Sequence, residues 1–157
     1  MTMICFSRID DRLIHGQVVT TWVNVHKIEQ IIVLNDEVAN DKIQKNILNM
    51  AAPQGIKVRV FSIEQFGKII KNTEIKRRTM LLFTNSIDVL RAVDNGVPIE
   101  SLNIGGMRYQ EGRERLTKAL SVTPEEKEAF VSLLDKGMDI TVQMVPNDGK
   151  VKLEEVL

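Results

Sequence analysis

The chain is poor in the residues that mark several protein classes. Among 157 residues there is one cysteine, Cys5, so no disulfide framework can form, and a reducing, cytoplasmic setting is the expectation. No apolar stretch comes near the roughly 20 residues that a membrane-spanning helix needs. Arg8, Asp10 and Asp11 interrupt the first apolar run at once, which leaves no secretory-signal pattern. Net charge is absent too. The 21 Lys and Arg balance 21 Asp and Glu, and without a clustered basic excess no nucleic-acid partner is expected. Lys71, Lys76, Arg77 and Arg78 read as a solvated loop ahead of a strand. Only two histidines occur, too far apart to share a metal, and no Cys/His cluster accompanies them; neither a metal nor another cofactor is expected. The G-x-G-x-x-G, Walker, G-x-S-x-G and H-E-x-x-H patterns are all missing.

What is present is an ordinary globular composition, 43% hydrophobic and 27% charged, of a size that suits one domain over residues 1–157. Residues 3–9 form an apolar run followed by charge, as in a strand buried on both faces. Residues 16–27 then place Val18, Val19, Trp22 and Val23 at helical spacing. Further strands are expected at 30–35, 57–62, 79–84, 101–106 and 139–145, with a last antiparallel one after the turn at Pro146 to Gly149. Between them lie helices. The helix of 41–52 carries Ile43, Ile47, Leu48 and Met50 on one face and stops at Pro53 and Gly55. Phe66, Ile69 and Ile70 line the next, which begins at Ser62 with Gln65 in capping-box position. Ser86 is placed to cap a helix bearing Ile87, Leu90 and Val93. Thr123, Pro124 and Glu126 start another, with Ala129, Phe130, Leu133 and Leu134 as its stripe. Residues 107–122 read as a polar loop.

Strands alternating with helices imply an α/β fold: a three-layer sandwich around a mostly parallel six- or seven-stranded sheet with an antiparallel C-terminal edge. Chemistry in such sheets sits beyond the carboxyl ends of the strands. Those ends are polar or glycine here: Arg8 to Asp10, Asn35-Asp36, Ser62, Thr84-Asn85 and Gly105-Gly106.

The first of these ends is the most distinctive. In "RIDDRLIHGQV" (8–18), His15 stands between a strand and an amphipathic helix, where backbone N–H groups and the helix dipole favour an anion. Gly16 permits close backbone approach, and Arg12 can offer a planar fork to a phosphoryl or carboxylate oxygen. Asp10 can hold one imidazole nitrogen and leave the other as nucleophile. Two readings stand on these residues alone: a phosphohistidine site, or a histidine capping a helix beside surface ion pairs. His26, at the far end of the same helix, and Cys5, inside an apolar run, read as structural, and Trp22 as packing. The glycines of 103–115 suit a tight turn lying against the His15 loop.

Three segments in order carry a resemblance: "RIDDRLIHGQV", "IIVLND", and the run from "GGMRY" at 105 to "VPND" at 148. The chain resembles, from about residue 3 to residue 152, the IIB component of the mannose/fructose/sorbose family of the bacterial sugar phosphotransferase system. The resemblance implies a mostly parallel α/β fold and a phosphoryl group accepted by His15 from the phosphohistidine of a IIA component. That group would pass to a sugar brought through the membrane by IIC and IID proteins. By the same likeness Arg12 steadies the phosphoryl group, the backbone around His15 and Gly16 helps to hold it, and Asp10 occupies a charged position of the loop. The protein would then be a cytoplasmic enzyme attached peripherally to its permease. Its loop must lie on a face that can dock, with Met107 and Tyr109 as the expected contact rim. The rival expectations are a non-catalytic regulatory or binding module on the same fold and, with no phosphate-loop glycines to support it, a nucleotide-binding enzyme.

Overall fold

The computed structural model describes residues 2–157. Strand β1 (Ile4–Asp10) leads into helix α1 (Gly16–His26), then β2 (Gln30–Leu34), a single-turn α2 (Asp36–Ala39), α3 (Lys42–Ala51) and β3 (Lys57–Phe61). Helix α4 (Ile63–Asn72), β4 (Thr79–Phe83), α5 (Ser86–Asp94) and β5 (Ser101–Gly106) follow. Two short strands, β6 (Glu114–Arg115) and β7 (Ser121–Val122), precede α6 (Pro124–Asp135), β8 (Asp139–Val142), β9 (Val151–Lys152) and a 3₁₀ turn, Leu153–Glu155. Seven strands form one sheet in the order β3-β2-β4-β1-β5-β8-β9. All neighbours are parallel except the antiparallel edge β8–β9.

Side chains of a strand alternate between faces, and the central strands use both for core. Ile32 and Leu34 of β2, with Leu81 and Phe83 of β4, join Phe66, Val89, Phe130 and Leu133 beneath α4, α5 and α6. Their neighbours Ile31, Val33, Met80 and Leu82 face the other way, against Val19, Val23, Val38 and Leu48 of α1, α2 and α3. The three-layer α/β expectation holds, with seven strands. No helix among the described residues is long and apolar enough to cross a membrane.

Several local expectations give way to tertiary context. In α3 only Leu48 is buried, while Ile43, Ile47 and Met50 are exposed; helical spacing marks a face without saying what covers it. Helix α5 is capped by Asn85, which accepts the Asp88 N–H, and Ser86 is its first residue, its hydroxyl donating to the Glu126 carbonyl. The stretch 107–122 is not simply a polar loop: β6 pairs with β7, and Met107 bridges Leu120. Met107 is fully buried and cannot belong to a contact rim; Tyr109 is exposed. Arg78 is not merely solvated either, since its guanidinium donates to the carbonyls of His26 and Lys27 and closes the end of α1. Strand β1 is buried only from Ser7 onward, and Cys5 is half-buried.

Candidate functional site

Strand β1 lies between β4 and β5, so its carboxyl end opens at the middle of the sheet. A register shift between Ile9 and Asp10 bends that end, as irregular pairing often does next to active sites. The chain then turns sharply. The Leu13 N–H donates to the Asp10 carbonyl, and Asp11 N–H to the Gly106 carbonyl. Leu13 takes a left-handed φ of 58°, a conformation that costs a non-glycine residue on the order of 1 kcal/mol. Burial of Leu13 and Ile14 in the α1-side core holds the turn in that shape. His15 becomes the N-cap of α1, and Gly16 follows with φ of 50°.

Asp10 is the centre of the arrangement, and its side chain is only 1% exposed. Its Oδ2 accepts from His15 Nε2 at 3.0 Å and from Arg8 Nη2 at 3.2 Å. Its Oδ1 accepts the Arg12 N–H at 3.1 Å, with Arg12 Nε 3.5 Å away. An ionised carboxylate can only accept, so a neutral His15 imidazole making this bond donates through Nε2 and keeps the lone pair on Nδ1. The His15 side chain is 24% exposed and that of Arg12 37%, whereas Arg8 is wholly buried. Two guanidinium charges against one carboxylate leave the pocket positive around the imidazole. Among the described residues, α1 is the only α-helix before α6 whose N-cap side chain makes no capping hydrogen bond. Its first turn also lacks an acidic residue, so its N-terminal amides remain open to an anion.

The structure thus brings the expected Asp10, Arg12, His15 and Gly16 together. It adds Arg8, whose Nη1 donates to the Asn103 side chain and to the Gln143 carbonyl at 3.3 Å. Burial pulls the Arg8 guanidinium below its ordinary value, and the Asp10 charge opposes this. Gly105 makes room for it: a Cβ there would lie 2.1 Å from Arg8 Cζ. Asp11 ties the loop to the opposite wall. It accepts from the backbone and side chain of Arg108 and from Arg113, and Arg113 forms a two-pronged pair with buried Glu126 at 2.9 and 2.8 Å. None of these partners is near in sequence; only the charges themselves hinted at them.

The other polar strand ends are taken up in structure. Asn35 caps α2, and Ser62 caps α4. Asp36 accepts the Ile63 N–H, which holds its carboxyl below the usual range with help from Arg91, while burial pushes Asp88 up. His26 lies in a stack with Phe6 and Trp22, and the described residues hold no metal-binding cluster.

A sequence model of the family described as PTS system sorbose subfamily IIB component matches residues 4–157. The sorbose-specific EIIB component of Klebsiella pneumoniae is 43% identical across 96% of this chain and 92% of that protein. The mannose-specific EIIAB component of Escherichia coli (strain K12) is 40% identical across 99% of this chain, which spans 48% of that longer protein. The crystal structure of the IIBSor domain of the sorbose permease from Klebsiella pneumoniae matches with a TM-score of 0.91 and 42% identity, over 99% of this chain and 95% of that one. Family model, relatives and fold agree, and the chain belongs to the sorbose subfamily of IIB components, sugar phosphotransferase proteins of the phosphotransferase system.

Proposed function

We propose that His15 accepts a phosphoryl group on Nδ1 from the phosphohistidine of a IIA component and passes it to a sugar delivered by membrane IIC and IID components. The observation that carries this reading is the 3.0 Å hydrogen bond from His15 Nε2 to Asp10, which leaves Nδ1 as the nucleophile. The P–N bond to the donor imidazole breaks as the P–Nδ1 bond forms. The donor nitrogen recovers its lone pair, and the His15 proton stays on Nε2, hydrogen-bonded to Asp10. No general base is needed, and catalysis rests on in-line placement and charge stabilisation. Arg12, half free of Asp10, turns its remaining N–H groups to the phosphoryl oxygens, and the α1 amides beginning at Gly16 supply further donors. In transfer to the sugar, the hydroxyl oxygen attacks phosphorus, Nδ1 leaves with its electron pair, and the hydroxyl proton is lost to water. The protein works in the cytoplasm, docked on the permease. A likeness to a protein whose name joins IIA and IIB functions supports the choice of donor.

The test is incubation with the general phosphotransferase proteins, a IIA component and labelled phosphoenolpyruvate. Acid-labile label should appear on the chain and vanish in His15→Ala; label that survives His15→Ala overturns the assignment. Arg12→Ala should lower the transfer rate by about 10²-fold while shifting stability by no more than about 0.5 kcal/mol, since the side chain is exposed.

A further inference from the structure

Phosphoryl transfer at His15 makes no direct use of one feature, the aromatic layer under Arg8, in which Trp22 is buried and Phe6 and His26 are half-buried. Trp22 and His26 stand four apart on α1, and Phe6 and Arg8 two apart on β1, so each pair shares a face and the pairs meet. Phe6 stacks on Trp22 with centroids 4.8 Å apart and on His26 at 4.1 Å. Arg8 lies over the Trp22 ring, its Cζ 5.4 Å from the centroid. The Arg8 Nε is buried and has no hydrogen-bond partner among the described residues, so the π face of Trp22 is what compensates that side of the guanidinium. The two side chains also share an acceptor. The Trp22 indole N–H and Arg8 Nη2 each donate to the Met144 carbonyl at 3.0 Å.

These contacts close a circuit. His15 occupies the N-cap position of the helix that carries Trp22 two turns later; Trp22 holds Arg8; Arg8 holds Asp10; and Asp10 holds His15. We propose that Trp22 is a positioning residue for phosphoryl transfer, fixing the Arg8–Asp10 pair so that His15 keeps its proton on Nε2 and presents Nδ1. The inference rests on the phosphohistidine reading for its kinetic consequence, but not for its structural one. Met144 joins in through its backbone carbonyl.

The test compares Trp22→Leu, which removes the ring, with Trp22→Phe, which keeps a ring and loses the indole donor. Two readouts are taken on proteins shown to be folded by circular dichroism. The first is the tautomer of the His15 ring by ¹⁵N NMR, measured with no donor present. Wild type should show the Nε2–H form, Trp22→Phe should resemble it, and Trp22→Leu should become a tautomer mixture. The second is transfer from IIA: kcat should fall about 10- to 100-fold in Trp22→Leu with KM for the donor within about twofold, because misplacement by about 1 Å has that effect on rate. Trp22→Phe should recover most of the loss. A folded Trp22→Leu protein with wild-type tautomer and kcat overturns the proposal. If Trp22→Leu does not fold, Trp22→Met takes its place with the same expected outcomes. Absence of phosphorylation in the wild type would sink the reading of His15 as acceptor, while the tautomer comparison would still decide the clamp.

Discussion

At the scale of single residues, Gly105 and Gly106 separate two uses of glycine that look identical in sequence. An added methyl at Gly105 would lie 2.1 Å from Arg8 Cζ, whereas at Gly106 it would meet only the Ala119 carbonyl at 3.8 Å, an ordinary contact. Arg8 is fully buried and has nowhere to retreat. Gly105→Ala should therefore cost about 3 kcal/mol or more by breaking a buried ion pair, and Gly106→Ala should be nearly neutral. In a chain of 157 residues that is a drop of roughly 6–12 °C in Tm for the first and little change for the second, read by thermal unfolding. The sequence suggested a tight turn against the His15 loop; the glycine pair does lie beside that loop, but as the last two residues of β5 rather than as a turn. Its actual function, space for a guanidinium from 97 residues away, arises because β1 and β5 are neighbours, and no local pattern encodes strand order. Asp10, Arg12 and His15 were legible for the opposite reason: they lie within one short loop, and their spacing alone lets them meet.

At the scale of elements, the termini of two helices are built for different purposes. Helix α6 has both arms of a capping box, Thr123 accepting the Glu126 N–H and Glu126 accepting the Thr123 N–H. Helix α1 begins at His15 with no side-chain cap, which leaves its amides for an anion. Thr123→Ala should lose about 1 kcal/mol, measured by the urea midpoint at unchanged m-value, without moving the His15 tautomer. The α6 start was readable because a capping box spans only four residues. The hairpin before it was not, since β6 and β7 have two residues each, too few to show a strand period. The apolar stripe of α3 fails similarly: Ile43, Ile47 and Met50 follow a helical period but stay exposed.

For the whole molecule, the aromatic stack ties stability to pH. Burial first, then the charges of Arg78 and Lys150, hold His26 below its ordinary value near 6.5. As pH falls below that value the unfolded chain takes up this proton before the folded one does. The contribution of His26 is therefore fully present above it and is lost as pH falls toward the depressed folded value. Stability measured by urea unfolding should decline as pH falls below about 6.5, and His26→Phe, which keeps the stack and removes the titration, should flatten that decline. By itself the sequence determined the alternation of strands and helices, the Ser62 and Thr123 caps and the charged loop at the end of β1, because hydrophobic period, turn residues and capping are local. The tertiary structure decided which strand lies beside which. Through that it decided the buried Arg8–Asp10 pair, the room made for it by Gly105, the Trp22 clamp and the strap from Asp11 to Glu126. Each of these joins residues far apart along the chain, and their meeting is fixed by strand order and layer packing, which no short stretch of sequence contains.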